Sequence, residues 1–186
     1  MPSDTTGMVL LWNKAVSDGD SFIQDEALPY IQAGRFFANQ NAAVVATDET
    51  GMVRGMYTIR SKYSGRCKHI CSAVIAVDSE YRRRHIGEKL LNDCINRAAS
   101  LGFKVIELYP VSASNKAAAA LFEKAGFTKT GSIPNGFARG DGQFTDADTY
   151  CITLPDHVNE AVNMPGMQPD KGIALRPDER KVEMPG

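Results

Sequence analysis

The hydrophobic pattern is clearest over residues 72–91, where an apolar run leads into a helical repeat. Residues 73–77 (AVIAV) form a short, continuous apolar run, which predicts a buried strand. From Ile86 onward the apolar positions recur at helical spacing along one face, and Gly102 lies where a C-terminal cap would end the helix. The connecting residues 78–85 (DSEYRRRH) are polar and basic. The stretch therefore predicts a strand, a short basic loop and a helix.

The same pattern predicts the elements that precede this stretch. Residues 8–15 (MVLLWNKA) indicate a short amphipathic helix, and residues 21–40 indicate a second helix with Pro29 near a helix start. Two strand-like runs at residues 41–48 and 52–61 are separated by a tight turn. This spacing is typical of a β-hairpin.

After the central helix, residues 103–111 (FKVIELYPV) predict another strand. Because it follows a strand and a helix, it should lie parallel to the earlier strand through a right-handed crossover. A second helix is predicted over residues 116–125, strands over 127–132 and 146–154, and a loop over 134–141. Two antiparallel pairs then flank one parallel pair. The predicted fold class is therefore α/β, with a mixed, mostly antiparallel sheet and helices on both faces.

The composition is that of an ordinary globular chain. It has 186 residues, a hydrophobic content of 43%, a charged content of 23% and a net charge of −1, which suits one domain with a substantial core. The near-neutral charge argues against nucleic acid as a partner, since duplex-binding proteins normally carry a broad basic face. No apolar run is long enough for a membrane span, and the N-terminus lacks the pattern of a signal peptide. We therefore expect a cytoplasmic location and no membrane partner.

The last part of the chain differs in composition. Residues 155–186 hold five of the nine prolines, charges of both signs and little apolar periodicity. Such a segment buries too little apolar surface to compensate for the entropy lost on ordering. We therefore predict a domain at residues 1–154 and a disordered tail at residues 155–186. Removing this tail should leave stability and ligand binding nearly unchanged.

The cysteines raise the question of a metal site. Four cysteines in a chain of this size do not form a secreted disulfide framework. On a strand, Cys67, His69 and Cys71 would project from one face and resemble a row of metal ligands. Zinc prefers a tetrahedron drawn from separate segments, however, and no second Cys/His pair lies elsewhere in the sequence. We therefore predict no metal site.

The start of the central helix is a candidate anion site. Its first backbone N–H groups have no partner within the helix, and the helix dipole adds a positive potential there. Arg82, Arg83 and Arg84 add charge around it. A phosphate or pyrophosphate is the expected guest, and the alternative is a solvated surface loop without a ligand.

Two motifs together resemble the signature of a known superfamily. Residues 82–87 (RRRHIG) match the pyrophosphate-loop pattern Arg/Gln-x-x-Gly-x-Gly/Ala, and Asn115 before a helix that ends in residues 122–127 (FEKAGF) matches the second signature. Over about residues 8–154 the chain resembles the GNAT superfamily of acetyl-CoA-dependent N-acetyltransferases. Within it, the stretches around the loop look most like the amino-acid acetyltransferases. These include the fungal proline-analogue enzymes, their bacterial relatives and, more distantly, phosphinothricin-type enzymes.

The resemblance implies acetyl-CoA as the co-substrate. Its pyrophosphate would lie at the helix start, and its pantetheine arm would pair with the exposed edge of the strand before the loop. Asn115 is either a pantetheine ligand or only a helix N-cap. The expected cofactor-binding residues are Ile75, Ala76, Val77, Arg82, Arg83, Arg84, His85, Ile86, Gly87, Glu88, Asn115 and Phe122.

The chain departs from the family pattern in three places. His85 stands where the family usually has Gly, and it still supplies its backbone N–H if its φ is negative and its imidazole points outward. Phe122 stands where many members carry a Tyr hydroxyl that protonates the departing thiolate, so the usual acid is missing. The family's first strand is missing or very short, because the chain begins almost at once in a helix.

Because the usual acid is missing, other proton-transfer groups are needed, and the strand after the central helix carries candidates. Glu107 and Tyr109 share one face of it, and two polar side chains there are unusual for an interior parallel strand. Either they face water at the splayed end, or they line the acceptor site. In the second case Glu107, or His69 on the neighbouring strand, would relay a proton from the ammonium group, and Tyr109 would orient the acceptor or protonate the thiolate. The backbone N–H near Val77 would stabilise the oxyanion, as in the family.

The predicted function is acetyl transfer from acetyl-CoA to the amine of a small acceptor, an amino acid or an analogue. Two alternatives stay open. One is an acetyltransferase acting on an aminoglycoside, a polyamine or a protein N-terminus, and the other is a CoA-binding module without catalysis. The near-neutral charge argues mildly against a cationic acceptor. A homodimer is also left open.

Overall fold

The computed structural model describes residues 4–155 and 172–177. Within these residues the helices are α1 (Asp4–Asp18), α2 (Tyr30–Ala38), α3 (Ile86–Ser100) and α4 (Lys116–Lys124). The strands are β1 (Ala42–Thr47), β2 (Val53–Ser61), β3 (Ile70–Val77), β4 (Val105–Ser112), β5 (Thr128–Ala138), β6 (Phe144–Thr153) and β7 (Ala174–Pro177). Among these helices, none has the length and apolar character that a bilayer crossing requires.

The strands form one sheet in the order β5-β6-β4-β3-β2-β1-β7. Every neighbouring pair is antiparallel except β3 and β4, which are parallel. Helices α1 and α2 cover one face of the sheet, and α3 and α4 cover the other. The predicted fold class is therefore confirmed, including the central parallel pair.

A separate hydrophobic cluster lies on each face of the sheet. On one face Trp12 of α1 packs edge-on against aromatic rings of the α2 region, with ring centroids 4.6 Å from Phe22 and 5.0 Å from Phe36. On the other face the apolar side of α3 packs against Tyr57 of β2 and Ile106 of β4. Alternate residues of β1, β2 and β3 enter the two clusters, as the pleat of a strand requires. The two clusters together hold the central strands in place.

The second predicted helix is shorter than the pattern suggests. Helix α2 occupies Tyr30–Ala38 and begins directly after Pro29, while residues 21–29 are irregular. Proline disfavours helical geometry at the residue before it. The side chain of Asn13 also accepts from the backbone N–H of Leu28 (2.7 Å) and donates to its carbonyl (3.1 Å). These bonds satisfy the Leu28 backbone outside a helix.

The predicted loop at residues 134–141 is largely strand. Strand β5 continues to Ala138, and only the turn beyond it leads to β6. The register with β6 shifts between Ile133 and Phe137. Pro134 lies within this irregular stretch of an edge strand, a position that does not require its missing N–H.

The three candidate metal ligands do not share a strand face. A short 3₁₀ helix occupies Gly65–Cys67, and β3 begins only at Ile70. Cys71 is buried, whereas Cys67 and His69 are exposed. In the ranges that the structure describes, no group of three or more potential ligands lies together.

Strand β7 lies within the segment that the composition predicts to be disordered. It pairs antiparallel with β1, and Arg176 Nη2 lies 2.6 Å from Asp4 Oδ1 of α1. Ile173 and Leu175 also pack against the core. The prediction of disorder is therefore wrong for residues 174–177. Residues 156–171 and 178–186 lie outside the described residues, and for them the tail and its boundary stay predictions.

The position of β7 changes the expected effect of truncation. Ending the chain at Pro155 should lower the free energy of unfolding by about 2 kcal/mol, because two half-buried apolar side chains lose their contacts. The melting temperature should then fall by about 4–8 °C. Leu175→Ser in the full chain should reproduce part of this loss. Acetyl-CoA affinity should not change, because β7 lies at the far edge of the sheet from β4. An unchanged melting temperature would show that β7 contributes nothing to stability.

Candidate active site

Strands β3 and β4 separate after a short stretch of pairing. They pair only at Ile70 with Val105 and Cys71 with Ile106, whereas β3 stays paired with β2 as far as Val77. Along residues 72–77, therefore, no described strand pairs with the side of β3 that faces β4. Backbone N–H and C=O groups on such an edge can pair with an extended ligand.

A cavity of about 1400 Å³ occupies the gap between the two strands. Its walls include Leu121 and Phe122 of α4 on one face of the sheet, and Trp12 and Phe36 of the α1–α2 layer on the other. The cavity therefore passes through the sheet. It exceeds the range of about 300–1000 Å³ that is usual for a single ligand, so it has room for two molecules that meet at the gap.

The first turn of α3 faces this cavity. Ile86, Gly87 and Glu88 line it, and no side chain caps the start of the helix. Arg83 and His85 in the preceding loop have left-handed φ values of 62° and 58°. Left-handed residues in such a loop are typical of backbone concavities that bind anions. The free N–H groups of the helix start belong to the same candidate anion site.

His85 adopts a left-handed backbone conformation. Its φ is positive, not negative, which explains why a glycine would suit this position. Histidine is among the residues that tolerate the left-handed region best, at a cost of about 1–2 kcal/mol. Its side chain is 57% exposed, and Nδ1 lies 3.2 Å from Glu88 Oε2. The imidazole therefore lies over the first turn of α3.

The three loop arginines do not share one role. Arg82 and Arg83 line the cavity, but Arg84 does not. The Arg84 guanidinium lies over the ring of Tyr81, 4.6 Å from its centroid, and Arg54 lies 4.1 Å from the same centroid. Arg84 therefore contacts the loop itself. Arg83 and Arg82, which lies 3.8 Å from Asp18 Oδ2, are left on the cavity wall.

Glu88 links the start of α3 to the end of α4. Its Oε1 accepts from Lys124 Nζ at 2.7 Å. Burial raises the pKa of this carboxyl, but hydrogen bonds from Lys124 and His85 outweigh burial and leave the pKa below its usual value. Glu88 is therefore ionised at neutral pH. Lys124 balances this negative charge beside the anion site.

A charged network holds the loop after β3. Arg54 Nε donates to Asp48 Oδ2 (2.7 Å), and its Nη1 lies 3.4 Å from Asp78 Oδ2. Lys14 of α1 also donates to Asp78, at 2.9 Å. Hydrogen bonds from Thr50 and Arg54 hold the pKa of Asp48 well below its usual range. The network ties α1, the β1–β2 hairpin and the end of β3 together.

Asn115 has the helix-cap role. Its side-chain oxygen accepts from Ala118 N at 3.1 Å, and its amide nitrogen donates to Ser21 Oγ at 3.1 Å. It also lines the cavity. The helix-cap interpretation is therefore confirmed, and the role in holding pantetheine stays a prediction.

The α1–α2 connection closes over the cavity. Asp20 Oδ1 accepts from Ser114 Oγ at 2.7 Å and lies 3.4 Å from Arg139 Nε. Gly140 N donates to Gly19 O at 2.8 Å, and a Cβ on Gly19 would lie 2.6 Å from Gly140 Cα. The connection thus bridges to the β4–α4 turn and to the β5–β6 turn. These contacts fix the connection in place beside the cavity.

The predicted catalytic residues are only partly brought together. Tyr109 and Val77 line the cavity, and so does Phe122, which packs beside Phe127 and Tyr150. Phe122 has no hydroxyl, so it supplies no acid to this wall. Tyr109 is 39% exposed.

Glu107 and His69 lie outside the cavity wall. Glu107 Oε1 accepts from Lys62 Nζ (2.7 Å), and Oε2 accepts from the Tyr63 hydroxyl (3.2 Å). Lys62 Nζ is also 5.4 Å from the ring centroid of Tyr109, which connects Glu107 indirectly to the cavity. His69 is exposed before the start of β3, at the opposite end from Val77, so its expected place on the strand beside Glu107 is wrong. Strand β3 has 8 residues and spans about 25 Å, which is roughly the separation between its two ends.

Several cavity residues were missed by the sequence analysis. They include Trp12 of α1 and Thr58, Arg60 and Ser72 of the central strands. Thr58 and Arg60 are polar residues on the strand face that also carries buried Met56. Polar residues at a spacing of two on a covered strand face were the available signal.

Comparison with known proteins gives one family. Residues 10–127 match the family model described as Acetyltransferase (GNAT) family. The N-acetyltransferase aca1 of Schizosaccharomyces pombe is 32% identical over 114 residues, which are 61% of this chain and 54% of that protein. The match thus spans about half the length of this curated relative.

Solved structures share the fold. A GCN5-related N-acetyltransferase from Kribbella flavida is 25% identical, with a TM-score of 0.76, and the match covers 83% of this chain and 94% of the other. A phosphinothricin acetyltransferase from Sinorhizobium meliloti, in complex with AcCoA, is 20% identical, with a TM-score of 0.77, covering 91% and 92%. The latter likeness supports the fold alone.

Proposed function

The chain belongs to the acetyltransferase (GNAT) family, and on this premise we propose that it transfers the acetyl group of acetyl-CoA to the amine of a small acceptor. The acceptor is an amino acid or an analogue. The observation that supports this is the continuous cavity, which joins an uncapped helix start and a free strand edge to a second compartment across the sheet.

Acetyl-CoA fits the half of the cavity beside α3 and α4. Its pyrophosphate is bound by the first-turn N–H groups of α3, with Arg82 and Arg83 adding charge. Its extended pantetheine arm pairs with the free edge of β3 at Ile75 to Val77. Asn115 lies on the wall of the same half.

The reaction is a direct acyl transfer. The neutral amine attacks the thioester carbonyl carbon, the C–N bond forms, and the C–S bond breaks to release the thiolate. The backbone N–H near Val77 donates to the oxyanion, and Tyr109 protonates the thiolate in place of the hydroxyl that Phe122 lacks. Glu107 accepts the amine proton through a water molecule, and Lys62 donates a hydrogen bond to the same carboxylate. We assign no role to His69.

Conservative changes of the two polar residues test these roles. Tyr109→Phe and Glu107→Gln should each lower kcat by more than about tenfold, because each removes a proton-transfer group, and acetyl-CoA affinity should change little. Phe122→Tyr should be neutral or mildly activating. Steady-state kinetics and calorimetry with acetyl-CoA provide the two measurements. Normal turnover in both variants would place the proton-transfer groups elsewhere, with the turn after Ala138 as the next region to test.

The function itself is tested by following thiol release from acetyl-CoA with a panel of primary and secondary amines. Turnover with amino acids and not with polyamines or aminoglycosides supports the proposal. Calorimetry that detects acetyl-CoA binding without turnover of any amine would favour a CoA-binding module, the alternative that Phe122 raises. Absence of acetyl-CoA binding would overturn both.

A further inference from the structure

The part of the cavity on the α1–α2 face is hereafter the acceptor half. It is lined by Trp12, Ile23, Phe36, Thr58, Arg60 and Val74, among others. Thr58 lies directly opposite Val74 in the β2–β3 register, and Arg60 lies opposite Ser72. These strand residues therefore share one face, opposite the face that packs on α3. The wall is mostly apolar, with a few polar groups at one end.

Arg60 differs from most other charged residues of the cavity because it has no ion-pair partner among the described residues. Most other charged residues of the cavity have ion-pair partners: Lys14 with Asp78, Asp18 with Arg82, Asp20 with Arg139, and Glu88 with Lys124. Arg83 belongs to the loop before α3. In the described part of the chain, no carboxylate lies within ion-pairing distance of the Arg60 guanidinium. The acceptor half thus contains one unpaired positive charge.

The position of Arg60 is consistent with a group that meets a ligand. On the same face of β2, Met56 and Thr58 are almost fully buried, whereas Arg60 lines the cavity and is exposed. Its long side chain can therefore reach the cavity without a buried charge in the free protein. A guanidinium offers a planar pair of donors that matches a carboxylate in a bidentate arrangement.

We propose that Arg60 binds the carboxylate of the acceptor, and that the acceptor is an amino acid with a free carboxylate and an apolar side chain. This inference rests on the proposed acetyl transfer. The amine is directed toward the free edge of β3, and the apolar side chain contacts Ile23 and Phe36. A polyamine or an aminoglycoside is disfavoured, because its positive charges would meet an unpaired arginine.

The test compares each amino acid with its carboxamide, which keeps the amine and the side chain but lacks the negative charge. The probes are L-methionine with L-methioninamide and L-proline with L-prolinamide. In Arg60→Gln, kcat/KM for the acids should fall about 10- to 100-fold, the value of a hydrogen-bonded charge pair, while the carboxamides change little. The matched control is Arg66→Gln, in the exposed 3₁₀ helix away from the cavity, which should leave both unchanged. An equal loss for acids and carboxamides in Arg60→Gln would overturn the proposal.

A binding measurement separates this inference from the proposed function. Trp12 is the single tryptophan of the chain and lines the acceptor half, so its fluorescence reports occupancy there. Titration should show tighter binding of the acids than of the carboxamides in the wild-type protein, and loss of this difference in Arg60→Gln. Binding of the acids without turnover would reject acetyl transfer and leave Arg60 as a carboxylate ligand. No detectable binding of either acid at millimolar concentration, or equal binding of acid and carboxamide, would overturn the inference.

Discussion

Gly87→Leu is expected to weaken acetyl-CoA binding about 100-fold. Gly87 lies in the first turn of α3 and lines the cavity. A Cβ at this position would lie 3.3 Å from Leu121 Cδ2 and 3.8 Å from Val77 Cγ2. A leucine side chain must therefore displace Leu121 or enter the space where the backbone N–H groups meet the anion. The loss of one or two hydrogen bonds to a charged group, at about 1.5–3 kcal/mol each, gives a change of this size.

Two variants make this result interpretable. Gly87→Ala should have a much smaller effect, because Leu121 needs to move by only a few tenths of an ångström. Arg84→Ala should change affinity little, because the Arg84 guanidinium lies over Tyr81 and not on the cavity wall. Calorimetry gives the affinities, and thermal unfolding checks that each variant is folded. An effect of Arg84→Ala as large as that of Gly87→Leu would mean that charge, and not backbone access, dominates the site.

Gly55→Val is expected to lower the free energy of unfolding by about 3 kcal/mol. Gly55 lies on the face of β2 that packs against α3. A Cβ there would lie 2.8 Å from Leu90 Cδ1, 3.0 Å from Ile86 Cγ2 and 3.3 Å from the Ala76 carbonyl oxygen. Leu90 and Ile86 are almost fully buried, so neither can move without displacing its neighbours. Because Ile86 is the first residue of α3, the folded fraction should also bind acetyl-CoA more weakly.

Urea unfolding measures this change, with Gly131→Val as the matched control. Gly131 lies on exposed strand β5, and a Cβ there meets nothing within 4 Å. This control should change stability little, since valine suits a strand. Equal midpoints for Gly55→Val and the wild-type protein would contradict the close packing of α3 on β2.

The sequence predicted the parts of the site that are local in the chain. The strand ending at Val77, the basic loop and helix α3 follow one another directly, and the apolar spacing within each records which side is buried. The uncapped helix start therefore follows from a short stretch. The bounds of α2 and β5 were less accurate, because Asn13 and the pairing with β6 act on them from elsewhere in the chain.

The backbone conformation of the loop could not be predicted from its local sequence pattern. The composition of residues 82–85 indicated a basic loop but did not determine the sign of φ at His85, which is positive. It also did not separate Arg84 from its neighbours. That distinction depends on the ring of Tyr81, which the guanidinium groups of both Arg84 and Arg54 contact in the folded protein.

The sequence by itself determined the order of helices and strands over most of residues 8–154, the central parallel pair and the helix start at Ile86 to Glu88, because each depends on residues close together in the chain. Only the tertiary structure decided the acceptor half, the cover formed by Gly19 and Gly140, and the position of β7 beside β1. These features join segments that are distant in sequence. The hydrophobic pattern of one segment does not indicate which distant segment it will contact, since these contacts arise only when helices and strands pack in three dimensions.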